Sequence, residues 1–166
     1  NDESASAPAA NAPAPAASAP APAGAGAGDL VSAGKAVYDA NGCGGCHILR
    51  GRGNALGPEL TAIGALRGAP YLRDALVKPE ASHPPGYLVV KATTTGGNVV
   101  RGIRLNEDVF YVHIRDARGT VHTLQKSDLS TLDREVEATL MPSYARLSAG
   151  DLDDLVAYLA SLRGAK

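Results

Sequence analysis

Five consecutive residues, Cys43-Gly44-Gly45-Cys46-His47, constrain this chain more than any other feature. Two cysteines separated by two residues and followed at once by histidine form the pattern through which a polypeptide attaches haem covalently. Each thiol can add to one vinyl group on the same edge of the porphyrin. The adjacent imidazole then lies beneath the ring, where it ligates iron. Gly44 and Gly45 put no side chains in the way of that approach. A chain with this run has to fold around a large, flat, apolar object. Other uses of a C-x-x-C pair fit less well. A zinc site wants further ligands at recognisable spacing, and the chain has no third cysteine. A redox dithiol of the thioredoxin kind sits in alternating strands and helices, and that alternation is absent.

Composition points the same way. There is no tryptophan, one phenylalanine (Phe110) and one methionine (Met141), and the 45% hydrophobic content is inflated by alanine near the N-terminus. A small domain so poor in bulky aromatics has little with which to fill a core, and a haem supplies the missing bulk. The formal net charge of −1 and the lack of a basic tract argue against a nucleic-acid partner. No apolar run approaches the roughly 20 residues that span a bilayer. The sequence begins without methionine or a recognisable signal segment, which reads as a processed form.

Residues 1–28 are almost entirely Ala, Pro, Ser and Gly. They offer nothing large to bury, and the prolines favour extended backbone, so they read as a disordered tether reaching up to about 85 Å. The folded domain is expected over residues 29–166. Asp29 is the candidate N-cap of a first helix, with Leu30, Val31, Val37 and Tyr38 on its apolar face, leading into the haem motif. A glycine-rich loop (Gly51, Gly53, Gly57), Pro58, and the apolar positions Leu60, Ile63 and Leu66 follow. Leu72, Ala75 and Leu76 have helical spacing, and Pro79 ends that helix. Past Pro84-Pro85-Gly86 the character changes to strands over 87–94, 99–105, 109–114 and 121–124, separated by glycine-containing turns. These make a four-stranded antiparallel meander over about 87–124, whose apolar face has to be buried on the haem domain or on a partner. A last helix starts at the capping pair Ser148 and Asp151 and carries Leu152, Leu155, Val156, Leu159 and Leu162 at helical spacing.

With His47 on one side of the iron, a second axial ligand is needed. Met141 precedes Pro142 in a loop ahead of the last helix, a better place for a thioether ligand than for a core methionine. The rival ligands are His83, His113 and His122. His83 stands beside Pro84-Pro85, while His113 and His122 fall on expected strands.

Taken together, the first helix, the C-x-x-C-H run, Gly57-Pro58-Glu59-Leu60, Met141-Pro142 and the Asp-Leu-Val-Ala-Tyr-Leu helix resemble a class I mono-haem cytochrome c. The stretch from Pro79 to Tyr87 ahead of a β region is similar to the haem-binding domains joined to bacterial membrane-bound dehydrogenases. The resemblance implies a mainly α cytochrome c fold around one covalent haem c, interrupted by an inserted β-meander. It implies that the Pro58 carbonyl accepts a hydrogen bond from His47, fixing the ring's orientation. It also implies export to the periplasm or the outer face of the cytoplasmic membrane.

The leading function is one-electron transfer with Cys43 and Cys46 holding the haem and His47 and Met141 on the iron. Redox protein partners would be a dehydrogenase or respiratory complex on one side and an acceptor on the other, with the tail as a tether to a membrane or larger complex. On this reading the chain is an electron carrier, not an enzyme. The alternative is a haem enzyme or a gas or redox sensor whose sixth iron position is open or labile.

Overall fold

The computed structural model describes residues 26–164. Of the Ala/Pro-rich segment only 26–28 fall in that range, and the rest of the expected tether lies outside the described residues.

Four helices build one part of the molecule: α1 (Ala27–Ala40), α2 (Ile63–Leu66), α3 (Ala69–Val77) and α4 (Ala149–Ser161). Helix α1 starts earlier than its sequence suggests. Gly26 is the N-cap, and Asp29 stands in the first turn, where its carboxylate accepts the Gly26 N–H at 3.1 Å. An acidic side chain there suits the positive end of the helix dipole, which is why it resembles a cap in the sequence. The pairing of α1 with α4 is the most extensive between any two helices. It needs Gly34, because a Cβ at that position would run into the backbone carbonyl of Asp154 and stand 2.7 Å from Tyr158 Cβ. Val37 and Tyr38 from α1, Leu72 and Leu76 from α3, and Leu152, Leu155, Val156, Tyr158, Leu159 and Leu162 from the C-terminal segment form the core, as their spacing predicts. Leu66 is the exception among the expected apolar positions, being largely exposed. Ser148 caps α4 as expected, its Oγ accepting the Asp151 N–H at 3.0 Å. The reciprocal bond differs from a capping box: Ser148 Oγ–H donates to the Asp151 carboxylate at 2.8 Å.

The β region corrects the sequence reading in two ways. It has five strands, not four, and extends past 124: β1 (Val89–Thr94), β2 (Val99–Glu107), β3 (Tyr111–Asp116), β4 (Val121–Gln125) and β5 (Leu129–Glu135). The first four form a meander, and β5 crosses back to pair with β1, so the order is β4-β3-β2-β1-β5 with every pair antiparallel. The apolar face also finds its cover within the sheet. Val90, Ala92, Val112 and Ile114 are fully buried in a cluster completed by Leu88, Val100, Leu124, Leu129 and Leu132. Side chains from all five strands line this second core, so this face is covered by the sheet's own residues, while Val89 and Ile103 on the opposite face are buried outside it.

The sheet leaves the helical part after α3 and returns at the Met141 loop. Ser143 Oγ–H donates to the Val77 carbonyl at 2.7 Å, and Tyr144 N–H to the Leu76 carbonyl at 2.8 Å. These two carbonyls belong to the last turn of α3, where no intrahelical donor remains for them.

Candidate functional site

The motif sits at the end of α1. Asn41 closes the helix, Gly42 turns the chain in the left-handed region (φ 63°), and Cys43–Gly45 form one 3-10 turn. The Cys46 and His47 N–H groups both donate to the Cys43 carbonyl, at 3.1 and 3.0 Å. The two cysteines and the histidine are thereby held in one tight loop. Neither cysteine is in a disulfide, and both are partly accessible.

Burial pushes the Cys43 thiol up to about 11, and burial raises Cys46 as well. Both are therefore protonated at neutral pH. A redox dithiol needs the opposite, a thiolate stabilised by a nearby positive group. The electrostatics of the loop thus disfavour the thioredoxin-like reading.

His47 is the best-defined side chain of the site. Its Nδ1 lies 2.7 Å from the Pro58 carbonyl oxygen, which can only accept, so Nδ1 carries the proton and donates it. Burial lowers the imidazole's pKa, and the Pro58 carbonyl opposes that shift. A neutral ring with Nδ1–H engaged leaves the Nε2 lone pair for a metal. The segment carrying Pro58 is laid against the motif by backbone bonds. Leu56 N–H and Gly57 N–H both donate to the Cys46 carbonyl, at 3.0 and 2.8 Å, and Asn54 Nδ2–H donates to the Gly45 carbonyl at 3.0 Å.

Glycine is required here for a steric reason that the sequence does not show. A Cβ on Gly57 would stand 2.5 to 3.0 Å from three atoms of the His47 ring, and one on Gly53 would enter the His47 carbonyl. Within the motif, by contrast, a Cβ on Gly44 meets only the Tyr38 hydroxyl at 3.7 Å, and one on Gly45 meets no protein atom within 4 Å. In the sequence Gly53 belongs to a glycine-rich loop and Gly57 also opens the Gly57-Pro58-Glu59-Leu60 segment, but neither shows its contact with His47.

Met141 is half-buried and packs on the helical core beside Tyr144 and Leu147, the same cluster that Cys43 borders. Its N–H is held by Thr139 Oγ1 at 3.0 Å. The structure therefore brings the Met141 loop and the attachment loop to one core. Of the three other histidines, His83 is exposed, His113 is bonded to Thr123 Oγ1 at 3.0 Å, and His122 to the Asp116 carboxylate at 2.9 Å.

The residues present suit a covalently held porphyrin. Two free thiols precede a neutral imidazole with one nitrogen committed, and the buried Tyr38 hydroxyl beside the motif has no hydrogen-bond partner among the described residues. The family model for cytochrome c matches residues 31–108. The chain carries a cytochrome c domain. The match takes in α1 from Val31 onward, the motif, Pro58 and α3, and it ends just past β2, so Met141 and α4 lie beyond it. No curated relative matches the chain. Cytochromes c bind haem c and transfer electrons, and the cytochrome domain's Cys43, Cys46 and His47 occupy the attachment pattern of that cofactor. No helix among the described residues is long and apolar enough to cross a membrane.

Proposed function

We propose that the cytochrome domain is a one-electron carrier with haem c attached through Cys43 and Cys46 and ligated by His47 and Met141. The observation that carries the reading is the His47 geometry: Nδ1–H is fixed on the Pro58 carbonyl at 2.7 Å inside the C-x-x-C-H loop. When bound, haem c supplies a ferrous/ferric couple that accepts and returns one electron. The chain's own residues do the rest. Pro58 orients the imidazole and raises its electron density by accepting the Nδ1 proton in a hydrogen bond. Gly57 leaves room for the ring. The Ser143 and Tyr144 bonds to the end of α3 hold the Met141 loop against the core that Cys43 borders. A thioether at the sixth position favours reduced iron and raises the potential.

Such a carrier serves as a relay between a dehydrogenase or respiratory complex and an acceptor. Its place is the periplasm or the outer face of the cytoplasmic membrane, with residues 1–28 as the tether. Absorption spectra in both redox states, with pyridine treatment to count thioethers, test the attachment. Met141→Ala tests the ligand. It should abolish the ferric methionine charge-transfer band, lower the potential and admit cyanide or carbon monoxide. An unchanged spectrum would refute the Met141 assignment.

A further inference from the structure

We infer that Arg115, on strand β3 of the inserted sheet, is a positioning residue for the proximal ligand, clamping the segment that presents Pro58 to His47. This rests on the reading that His47 is an axial haem ligand. Among the described residues, Arg115 makes the side-chain hydrogen bond that joins the sheet to the haem-attachment part: its Nη1–H donates to the Ala55 carbonyl at 2.8 Å, across 60 positions of sequence. The peptide group it touches is held from both ends. The carbonyl of Ala55 accepts from Arg115, and the N–H of the same peptide, that of Leu56, donates to the Cys46 carbonyl at 3.0 Å. The Cys46 carbonyl in turn belongs to the peptide bond leading into His47. A continuous hydrogen-bonded chain therefore runs from a guanidinium on the sheet to the backbone of the ligand. Charge at one end polarises each bond in such a chain and strengthens it.

Both ends of the clamp are rigid. Behind Arg115, Gly102 of β2 lies so close that a Cβ there would strike the Arg115 carbonyl and stand 2.9 Å from Asp116 Cα. Ahead of it, the Asp116 carboxylate accepts the Arg118 and Thr120 N–H groups at 2.9 Å each and locks the β3–β4 turn. The row of the sheet that carries Arg115 continues through Ile103 to Val89, and both are buried without belonging to either apolar cluster. Leu56, next to Ala55, is buried and likewise belongs to neither cluster. At the other end, Gly57 and Pro58 follow Leu56 directly, so any slack at Ala55 reaches the Pro58 carbonyl within three residues. The sheet is on this account a support for the proximal ligand, and its position is coupled to the strength of the His47–Pro58 bond.

The test uses the full chain purified with its haem, in the reduced state, and measures exchange of the His47 Nδ1 proton with water by NMR. Arg115→Met removes the donor while keeping an unbranched side chain, Arg115→Gln keeps a neutral donor, and Arg115→Lys keeps a charged one. Exchange in Arg115→Met should accelerate about tenfold or more, the factor expected when one charge-assisted hydrogen bond is lost. Arg115→Lys should restore most of the protection. Exchange within about twofold of the parent in Arg115→Met, with the sheet amide spectrum native, overturns the inference, because a purely structural arginine would leave this proton protected. If Arg115→Met does not fold, Gln against Lys decides: faster exchange in Gln supports the clamp, and equal rates refute it. A parent protein whose pyridine spectrum shows no haem c defeats the reading of His47 as a haem ligand. The exchange series still decides the clamp, since the bond to Pro58 is made by the polypeptide alone.

Discussion

Replacing Gly57 by alanine is the sharpest perturbation the site offers. The added Cβ would stand 2.5 Å from His47 Cε1, 2.8 Å from Nδ1 and 3.0 Å from Nε2. Two of these ring atoms lie inside the distance that real Cβ contacts observe and the third is at its edge, so either the ring or the 54–58 segment must move. Ring movement stretches the 2.7 Å bond to Pro58. Segment movement breaks the 2.8 Å bond from Gly57 N–H to Cys46. Overpacking of this kind costs about 1–3 kcal/mol, and losing one such hydrogen bond adds about 1 kcal/mol. For a domain of this size each kcal/mol lowers the melting temperature by roughly 4 °C, so Gly57→Ala should melt roughly 8–16 °C below the parent. Gly96→Ala is the control, because its Cβ meets only Thr94 Oγ1, at 3.8 Å. Thermal unfolding followed by circular dichroism gives the melting temperatures, and NMR of the His47 Nδ1 proton reports which bond yields. If Gly57→Ala melts with Gly96→Ala and leaves that proton protected, the steric argument is wrong.

Two further outcomes concern the sheet and the last helix. Glu107 receives Lys126, Arg104 and Arg134 on one carboxylate, at 2.8, 3.1 and 2.7 Å, and these cations, Lys126 foremost, hold its pKa down to about 2 from 4.5. A depressed folded-state pKa contributes stability above 4.5 that is lost as pH falls through about 2, so urea midpoints of the parent and Glu107→Gln should be farthest apart above pH 4.5 and converge toward pH 2. Parallel curves across that window would refute the network. Ser148→Ala removes the acceptor of the Asp151 N–H and should cost about 1 kcal/mol in a denaturant titration, whereas Ser148→Thr, which keeps a hydroxyl able to accept that N–H and donate to the Asp151 carboxylate, should recover most of it.

What the sequence disclosed follows from which interactions are local. The attachment loop and the α4 cap depend on residues within four positions of each other, and the core faces of α1, α3 and α4 on helical period, so spacing alone exposes them. Strand β5 is hidden for a specific reason. Leu129 and Leu132 both pack on the sheet's core although they are three apart, because the pairing with β1 slips between Thr93 and Thr94. That irregularity destroys the two-residue alternation by which a strand is recognised. The charged run Asp133-Arg134-Glu135 disguises the rest. The need for glycine at 53 and 57 is equally invisible, since it arises from the His47 ring and carbonyl folding back onto the loop. Arg115 reads as an ordinary strand cation until its partner 60 residues earlier is seen.

The bonds from Ser143 and Tyr144 to the end of α3 bring together points 66 and 68 residues apart, and everything between them is an excursion that begins and ends at the same place. Closing a flexible loop costs only about 0.6 kcal/mol for each doubling of its length. Against a direct connection of eight or so residues, the whole detour is three doublings, about 2 kcal/mol at most. The sheet brings its own apolar core to offset that sum. An excursion of this length therefore costs the junction little, whatever the chain builds between the two points. The long gap between His47 and Met141 is thus a matter of contour length, while the distance the chain has to close between Val77 and Ser143 is one hydrogen bond of 2.7 Å.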